Sequence, residues 1–405
     1  MYSKELAELG FVIFRRQNET GGIKPHLFIR FKSKEGRLLT FAIDTTRISP
    51  SQEQPDAYFI THAHSDHYGK SAMLSESAWC SEETAQALEI RYEKTYKGKT
   101  FKTGDTFSVC GVDIQTFDVG HAPGSSAFYW ENELGTRLLV TGDVKDAQFL
   151  PECDILLTEA SYGDPADLSC YFKDDVDSLH HAVLSHIGER RIAFGAYEFG
   201  KSQKAVSLLR EMGYNGPIAM KSKTLSLTES FVQNAGELVE LGSDFYTNIQ
   251  SNTQSVSYSQ SYSQSYSQTR LTAQIDGESA AAVNMQTYSY SSVAVNTTEK
   301  SNCNICIVPI NELSSFGSDT RKYVLTCRSD YPFENIRLSD HLDVDGLTQM
   351  VKNISPKVTV VYHPNKSPRT DKFAKHLEKN GFKAFSINQI QNIVGNEKQN
   401  KPTNF

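Results

Sequence analysis

Seven consecutive residues, Thr61-His62-Ala63-His64-Ser65-Asp66-His67, constrain this chain more than any other stretch. They overlap the end of Ala57–Thr61, a short apolar run that predicts a strand. A lone histidine is usually a satisfied core or surface residue. Three imidazoles and a carboxylate within six residues instead form a nitrogen and oxygen donor set suited to zinc, manganese or iron. His62 and His64 are two apart, so an extended backbone can aim both to one side. Asp66 and His67 then fall on the turn and can serve a second ion.

The rest of the first 160 residues repeats the pattern of short strand followed by polar cluster. Phe11–Arg16, His26–Lys32 and Arg37–Asp44 are β-rich runs. Val112–Phe117, Arg137–Thr141 and Ile155–Leu157 lead into Gly120-His121, Gly142-Asp143 and Thr158-Glu159. Layered α/β folds place their chemistry on such loops at strand ends. From about residue 166 strand and helix alternate, suggesting a second, smaller α/β unit. Arg191–Tyr197 predicts a buried strand. Lys201–Met212 predicts a helix with Ala205, Leu208, Leu209 and Met212 on one face and Gly213 as a stop. After residue 301, Ile305–Ile310, Tyr323–Thr326 and Val358–Tyr362 predict strands, the last ending at His363, and Leu347–Val351 lies in a helical stretch after Asp343.

Residues 251–300 break this alternation. Ser-Tyr-Ser-Gln recurs at 257–260, 261–264 and 265–268, and such a composition cannot bury enough apolar area to offset ordering, so disorder is expected there. Its tyrosines could stack on bases, although a repeat-expanded surface loop explains them as well. The chain carries a net charge of −7, which argues against a histone-like or ribosomal role. Its last 55 residues hold ten Lys and Arg against three Asp and Glu; that basic end suits part of a nucleic-acid groove or a solvated helix face bearing Lys372, Lys375 and Lys379. Seven cysteines at irregular spacing fit reduced thiols and a cytoplasmic setting better than a disulfide framework. Cys303-Asn-Ile-Cys306 is a lone CxxC pair with no nearby histidine, a poor basis for zinc or redox use. No 18-residue apolar stretch predicts a membrane span, and Met1–Leu6 has no basic start or apolar segment of a secretory signal.

The His-x-His-x-Asp-His string resembles that of the metallo-β-lactamase superfamily. The resemblance implies an α/β fold, the αββα sandwich. It also implies ligands by position: His62, His64 and His121 for one metal, Asp66 and His67 for the other, and Asp143 in Val-Thr-Gly-Asp-Val bridging them. Asp44, at a strand end in Phe-Ala-Ile-Asp-Thr, would orient the first His-rich loop. Later segments resemble the β-CASP nucleases within that superfamily. Leu157-Thr158-Glu159 resembles their acidic motif, Ser339-Asp340-His341 their second histidine motif, and Val361-Tyr362-His363-Pro364 the motif whose histidine completes the second metal, though with His-Pro where His-Gly is usual. Phe199-Gly200-Lys201-Ser202-Gln203 is similar to the helix start of the cap domain in ligase-associated and crosslink-repair exonucleases.

The implied organisation is a metallo-β-lactamase domain in two parts, 1–165 and 336–395. A β-CASP-like cap spans 166–335 with a low-complexity insert at 249–300, and 396–405 is a flexible tail. The implied function is a two-metal nuclease, exonuclease favoured, with zinc or manganese ions activating hydroxide. It would act in RNA processing or DNA repair on RNA or single-stranded DNA. Asp66, His341 and Glu159 would be catalytic, with His341 protonating the leaving oxygen and Glu159 raising its pKa. Gly200, Lys201 and Ser202 would receive a phosphate at the helix start. A homodimer is compatible with this. Two other readings stay open: a small-molecule hydrolase of the same fold, such as a lactonase or thioesterase, and a non-catalytic nucleic-acid-binding subunit.

Overall fold

Phe11 and Ile13 bury into one core while Phe14, on the opposite face of the same strand, buries into another, so the sheet they build is covered on both sides. The structure is a computed structural model that describes residues 2–17, 27–50, 52–187, 190–242, 303–363, 368–390 and 393–394. The disorder expected for 251–300 and the tail expected for 396–405 lie outside the described residues.

The first sheet runs Ile393–Val394, Phe11–Arg16, Leu27–Lys32, Leu38–Ile43, Ala57–Phe59, Ala78–Ser81, Lys99–Phe101. The second runs Ala384–Ser386, Val358–Val361, Ile155–Thr158, Arg137–Val140, Ser126–Glu131, Val112–Asp118, Thr106–Val109. Their facing sides share one core in which Phe31, Phe41, Phe59, Phe128 and Trp130 interlock, with Phe59 and Phe128 ring centroids 4.8 Å apart. Ala85, Ala87 and Leu88 of the helix Glu82–Tyr92 cover the outer face of the first sheet. Leu347 of Val344–Ile354 and Phe373 and Leu377 of Pro368–Lys379 cover that of the second. The result is the helix–sheet–sheet–helix sandwich that the resemblance implies.

A third sheet is parallel throughout, in the order Leu238–Glu240, Ile218–Met220, Ile305–Val308, Arg191–Gly195, Thr320–Leu325, Glu334–Ile336. Its central strands are buried on both faces, Ile192 and Phe194 toward one core and Ala193 toward the other, as is usual for parallel strands, while the edge strands Leu238–Glu240 and Glu334–Ile336 are partly exposed. The helix Lys201–Glu211 packs Ala205 and Leu209 there, with Leu208 and Met212 at the margin, which is the apolar stripe read in the sequence. The strand expected to reach Ile310 stops at Val308, because Pro309 has no N–H to continue a ladder and the chain turns into a 3-10 segment. Cys306 is fully buried in this sheet, and Cys303 Sγ donates to the Pro217 carbonyl at 3.2 Å; both serve as packing residues. Among the described residues, no helix is long and apolar enough to cross a membrane.

What matters for chemistry is where strands end. Asp44, the His62–His67 turn, His121, Asp143, Glu159 and His363 follow the C-terminal ends of Leu38–Ile43, Ala57–Phe59, Val112–Asp118, Arg137–Val140, Ile155–Thr158 and Val358–Val361. His341 follows Glu334–Ile336 of the third sheet.

Candidate metal centre

Two groups of donor atoms lie at these strand ends, each within 4.8 Å mutually: His62, His64, His121 and Asp143, and Asp66, His67 and His363. The loop that brings Asp143 to the first group requires Gly142. Its φ is +61°, and a Cβ there would lie 2.7 Å from Thr61 Oγ1.

The hydrogen bonds fix where each imidazole keeps its proton. His64 Nε2 meets the Phe199 carbonyl at 3.0 Å and His121 Nδ1 meets the Asp340 carbonyl at 2.7 Å. A carbonyl only accepts, so those nitrogens carry hydrogen, leaving His64 Nδ1 and His121 Nε2 as bare lone pairs. His62 follows by one more step. The Thr61 hydroxyl donates to Asp44 Oδ2 at 2.8 Å, so it can only accept from His62 Nδ1 at 3.0 Å, and His62 Nε2 is bare. The three bare nitrogens converge: His62 Nε2 is 3.0 Å, and His121 Nε2 2.9 Å, from His64 Nδ1. Asp143 Oδ2 stands 3.8 Å from His62 Nε2 and 3.7 Å from His121 Nε2. Protons on these rings are disfavoured. Burial pushes all three below the ordinary histidine range, and each is pushed further by neighbouring imidazoles, His64 to about 3. Three lone pairs facing one another repel unless a cation lies among them. A tetrahedral ion with bonds of ~2.0–2.1 Å separates its ligand atoms by about 3.3 Å, close to the spacing found here. The donor set therefore fits a divalent metal.

The second group shares Asp143. His67 Nδ1 donates to Asp44 Oδ2 at 2.7 Å, which turns Nε2 toward Asp143 Oδ2 at 3.4 Å. His67 Nε2 and Asp143 Oδ1 are buried with no hydrogen-bond partner among the described residues. Burial pulls the His67 pKa down, but Asp143 and Asp44 outweigh it and hold it well above the ordinary value. Burial likewise pushes Asp143 up, and His67 more than reverses it. His363 Nε2 lies 4.0 Å from Asp66 Oδ2. Asp44 also accepts from the Thr61 N–H at 2.9 Å and is itself fully buried with φ +46°. One carboxylate thus fixes His67 directly and His62 through Thr61.

Glu159 and His341 adjoin the shared aspartate, all three being within 4.8 Å by one donor atom each. Glu159 Oε1 accepts from the Val144 N–H at 2.8 Å and Oε2 from the Ser161 N–H at 3.0 Å, and His341 Nδ1 meets both oxygens at 2.9 and 3.1 Å. Burial opposes a charge on His341, but the Glu159 charge and hydrogen bond win and raise it to about 9.

The residues expected to receive a phosphate are arranged differently. Lys201 is 1% exposed, its ammonium 3.3 Å from Asp340 Oδ1. The Ser202 hydroxyl donates to the Tyr197 carbonyl at 2.6 Å, and the Gly200 N–H donates to Gln203 Oε1 at 2.7 Å. This segment is corrected from a phosphate cradle to a satisfied helix start that anchors Asp340. The reason is that an amphipathic helix sets its first turn against the sandwich and needs those donors for its own cap. Three contributors went unread in the sequence: Thr61, Asp340 and the Phe199 carbonyl. The first two lie inside the motifs Thr-His-Ala-His and Ser-Asp-His, whose distinctive signal is the imidazoles. A backbone carbonyl leaves no residue-type signal at all.

Comparison with known proteins gives the same picture. Residues 40–187 match the family model described as a beta-lactamase superfamily domain. The chain is 22% identical over 226 residues to an RNase J-like protein of Methanocaldococcus jannaschii, covering 47% of this chain and 52% of that protein. It is 25% identical over 217 residues to the exodeoxyribonuclease WalJ of Streptococcus pneumoniae, covering 48% and 75% respectively. Over 91 residues it is 34% identical to the human DNA cross-link repair 1A protein, covering 22% of this chain and 9% of that one. The chain thus aligns with about half the length of the first of these relatives. A crystal structure of a protein of unknown function from Enterococcus faecalis V583 shares the fold, with a TM-score of 0.55 at 12% identity over 89% of this chain and 96% of the other.

Proposed function

The chain belongs to the metallo-β-lactamase superfamily, and from that premise we propose that it is a metal-dependent nuclease, an exonuclease by preference, hydrolysing phosphodiester bonds in RNA or single-stranded DNA. The observation that carries this is the pair of donor groups sharing Asp143, with the His341–Glu159 couple set against them. His62, His64, His121 and Asp143 would hold one divalent ion, and Asp66, His67, His363 and Asp143 the other, zinc or manganese by donor type. When bound, such a pair supplies water activation near neutral pH and charge neutralisation on the phosphoryl group.

The remaining work falls to the chain itself. Asp44 and Thr61 hold the ring orientations of His62 and His67, and the Phe199 and Asp340 carbonyls hold those of His64 and His121. His341, imidazolium at neutral pH, can give a proton to the departing sugar oxygen, and Glu159 keeps it charged and aimed. Lys201 anchors Asp340 and through it the loop bearing His341. A small-molecule hydrolase would leave the His341–Glu159 couple without a task. We assign the two-part sandwich and its inserted cap the boundaries 1–165, 166–335 and 336–395. Seven free thiols suit a cytoplasmic setting.

The test is cleavage of matched 5′-phosphorylated RNA and DNA oligonucleotides with zinc or manganese added, by the whole chain and by His121→Ala and Asp143→Ala. Loss of cleavage in both folded variants is expected. Full activity after exhaustive chelation would overturn the reading.

A further inference from the structure

Tyr197 lies in the loop between Arg191–Gly195 and the helix Lys201–Glu211, and it is 45% exposed, whereas the other tyrosines with described side chains are buried or half-buried. Nothing in the metal centre uses it. Its backbone carbonyl is taken by Ser202, so the backbone there is pinned while the ring faces out. The buried Lys201 ammonium lies 5.1 Å from the ring centroid, stiffening it from beneath. Tyr331 is its neighbour: burial first, and then the charge and the hydrogen bond of Tyr197, hold the Tyr331 phenol above its usual range. The Arg328 guanidinium stands 5.8 Å over the Tyr331 ring, half exposed, and donates to both carboxylate oxygens of Asp330.

The same cluster continues to the reacting end of the site. Burial, and after it the neighbouring Cys327, Asp340 and Tyr197, hold the Tyr162 phenol above its usual range, and the Arg369 guanidinium lies 5.5 Å over the Tyr162 ring. Tyr162 in turn packs against His341, ring centroids 5.7 Å apart. Aromatic faces backed by guanidinium groups are what an unpaired nucleobase stacks on, and base-to-aromatic stacking tolerates any sequence because every base offers a π-face. A base inside a duplex has both faces covered and cannot use such a ledge.

Resting on the nuclease reading above, we propose that Tyr197 and Tyr331, flanked by Arg328, form a stacking subsite for an unpaired base of the substrate strand adjoining the phosphate presented to His341. The subsite selects strand state, single over double, and not base identity.

The test reads binding as well as cleavage. Fluorescein-labelled single-stranded DNA and RNA of one sequence are titrated with the full chain and with Tyr197→Ala, Tyr197→Phe and Tyr331→Ala, each strand also made with an abasic site at successive positions. The ring of Tyr197 is exposed, so its truncation should leave the fold intact, checked by circular dichroism. Expected is a 5- to 100-fold weakening for Tyr197→Ala, on the order of one lost stack, with Tyr197→Phe near wild type. An abasic site at one position should weaken wild type but not Tyr197→Ala. The outcomes separate the two claims. Tyrosine-dependent binding without any cleavage would sink the nuclease reading and keep the subsite. Cleavage and binding indifferent to both tyrosines, or equal binding of the matching duplex, would overturn the subsite.

Discussion

Asp44→Asn isolates what a carboxylate contributes behind a ligand. Asparagine is nearly the same size and, like aspartate, tolerates the left-handed backbone found at this position, so the fold should survive. The side-chain oxygen can still accept from the Thr61 N–H, replacing a 2.9 Å bond. The amide nitrogen must then face the Thr61 hydroxyl and His67 Nδ1, atoms now 2.8 and 2.7 Å from Asp44 Oδ2. Two donors cannot face each other, so a neutral His67 must keep its one proton on Nε2 and not on Nδ1. That is the nitrogen turned toward Asp143, where an ion would bind. Losing an outer partner of this kind costs about 10- to 100-fold in metal affinity, roughly 1.4–2.8 kcal/mol. The loss should be largest for the ion held by His67, which Asp44 touches directly, whereas His62 feels the change only through Thr61. The assay is competitive titration with a chromophoric chelator, backed by metal content after dialysis: two ions per wild-type chain, with one of them much weakened in the variant. Two ions bound at wild-type affinity by Asp44→Asn would refute the assignment of Asp44 as the orienting group.

The other outcomes concern the proton donor and the seam. In Glu159→Gln, the largest charge opposing burial is gone and only Asp143 and Asp340 still raise the ring, so His341 should titrate lower; because the protonated ring is the working form, activity is lost above its pKa. The alkaline limb of the rate profile should therefore move down from near pH 9 by about one unit or more, and an unmoved limb would remove His341 from proton transfer. Asp174 accepts from Lys204 Nζ at 2.6 Å, Lys145 Nζ at 3.2 Å and the Ser339 N–H at 2.8 Å, tying three segments together. Asp174→Asn should cost about 1–3 kcal/mol in stability, read as a lower thermal midpoint at pH 7. Burial raises the Asp174 pKa, but Lys204 and Lys145 lower it further, to below the usual carboxylate value. The stabilisation is thus present above that usual value and lost as pH falls through the lowered one, so the gap between variant and wild type should close in acid. A gap that persisted there would mean that the ion pairs contribute nothing.

Much of the sandwich could be read from residue order because its strands carry their own signals. Phe11–Arg16 begins and ends as expected, and Leu38–Ile43 and Arg137–Val140 differ by a residue at their ends. The histidines and acids of the centre could be read because imidazole and carboxylate are scarce, distinctive groups at strand ends. What stayed hidden was orientation. Lys201 is expected at a phosphate, yet it points inward to Asp340, 139 positions along the chain, and no local pattern reports such a partner. The tautomers of His64 and His121 depend on carbonyls 135 and 219 positions away, and a carbonyl is the same in every residue. Pro309 shows the reverse case: one residue type whose missing N–H ends a strand wherever the rest of the fold sits.

Those two carbonyls also forbid a modular view of the chain. Phe199 and Asp340 lie outside the stretch of 40–187 that matches the superfamily domain, and yet each dictates which nitrogen of a histidine inside it is left bare. Trimming the chain to that stretch would keep His62, His64, His121 and Asp143 but free two of the rings to swivel and shift their protons. Affinity for an ion at these histidines and the seating of the segments that carry Phe199 and Asp340 are then one equilibrium viewed from two ends: whatever tightens the first must, by reciprocity, tighten the second.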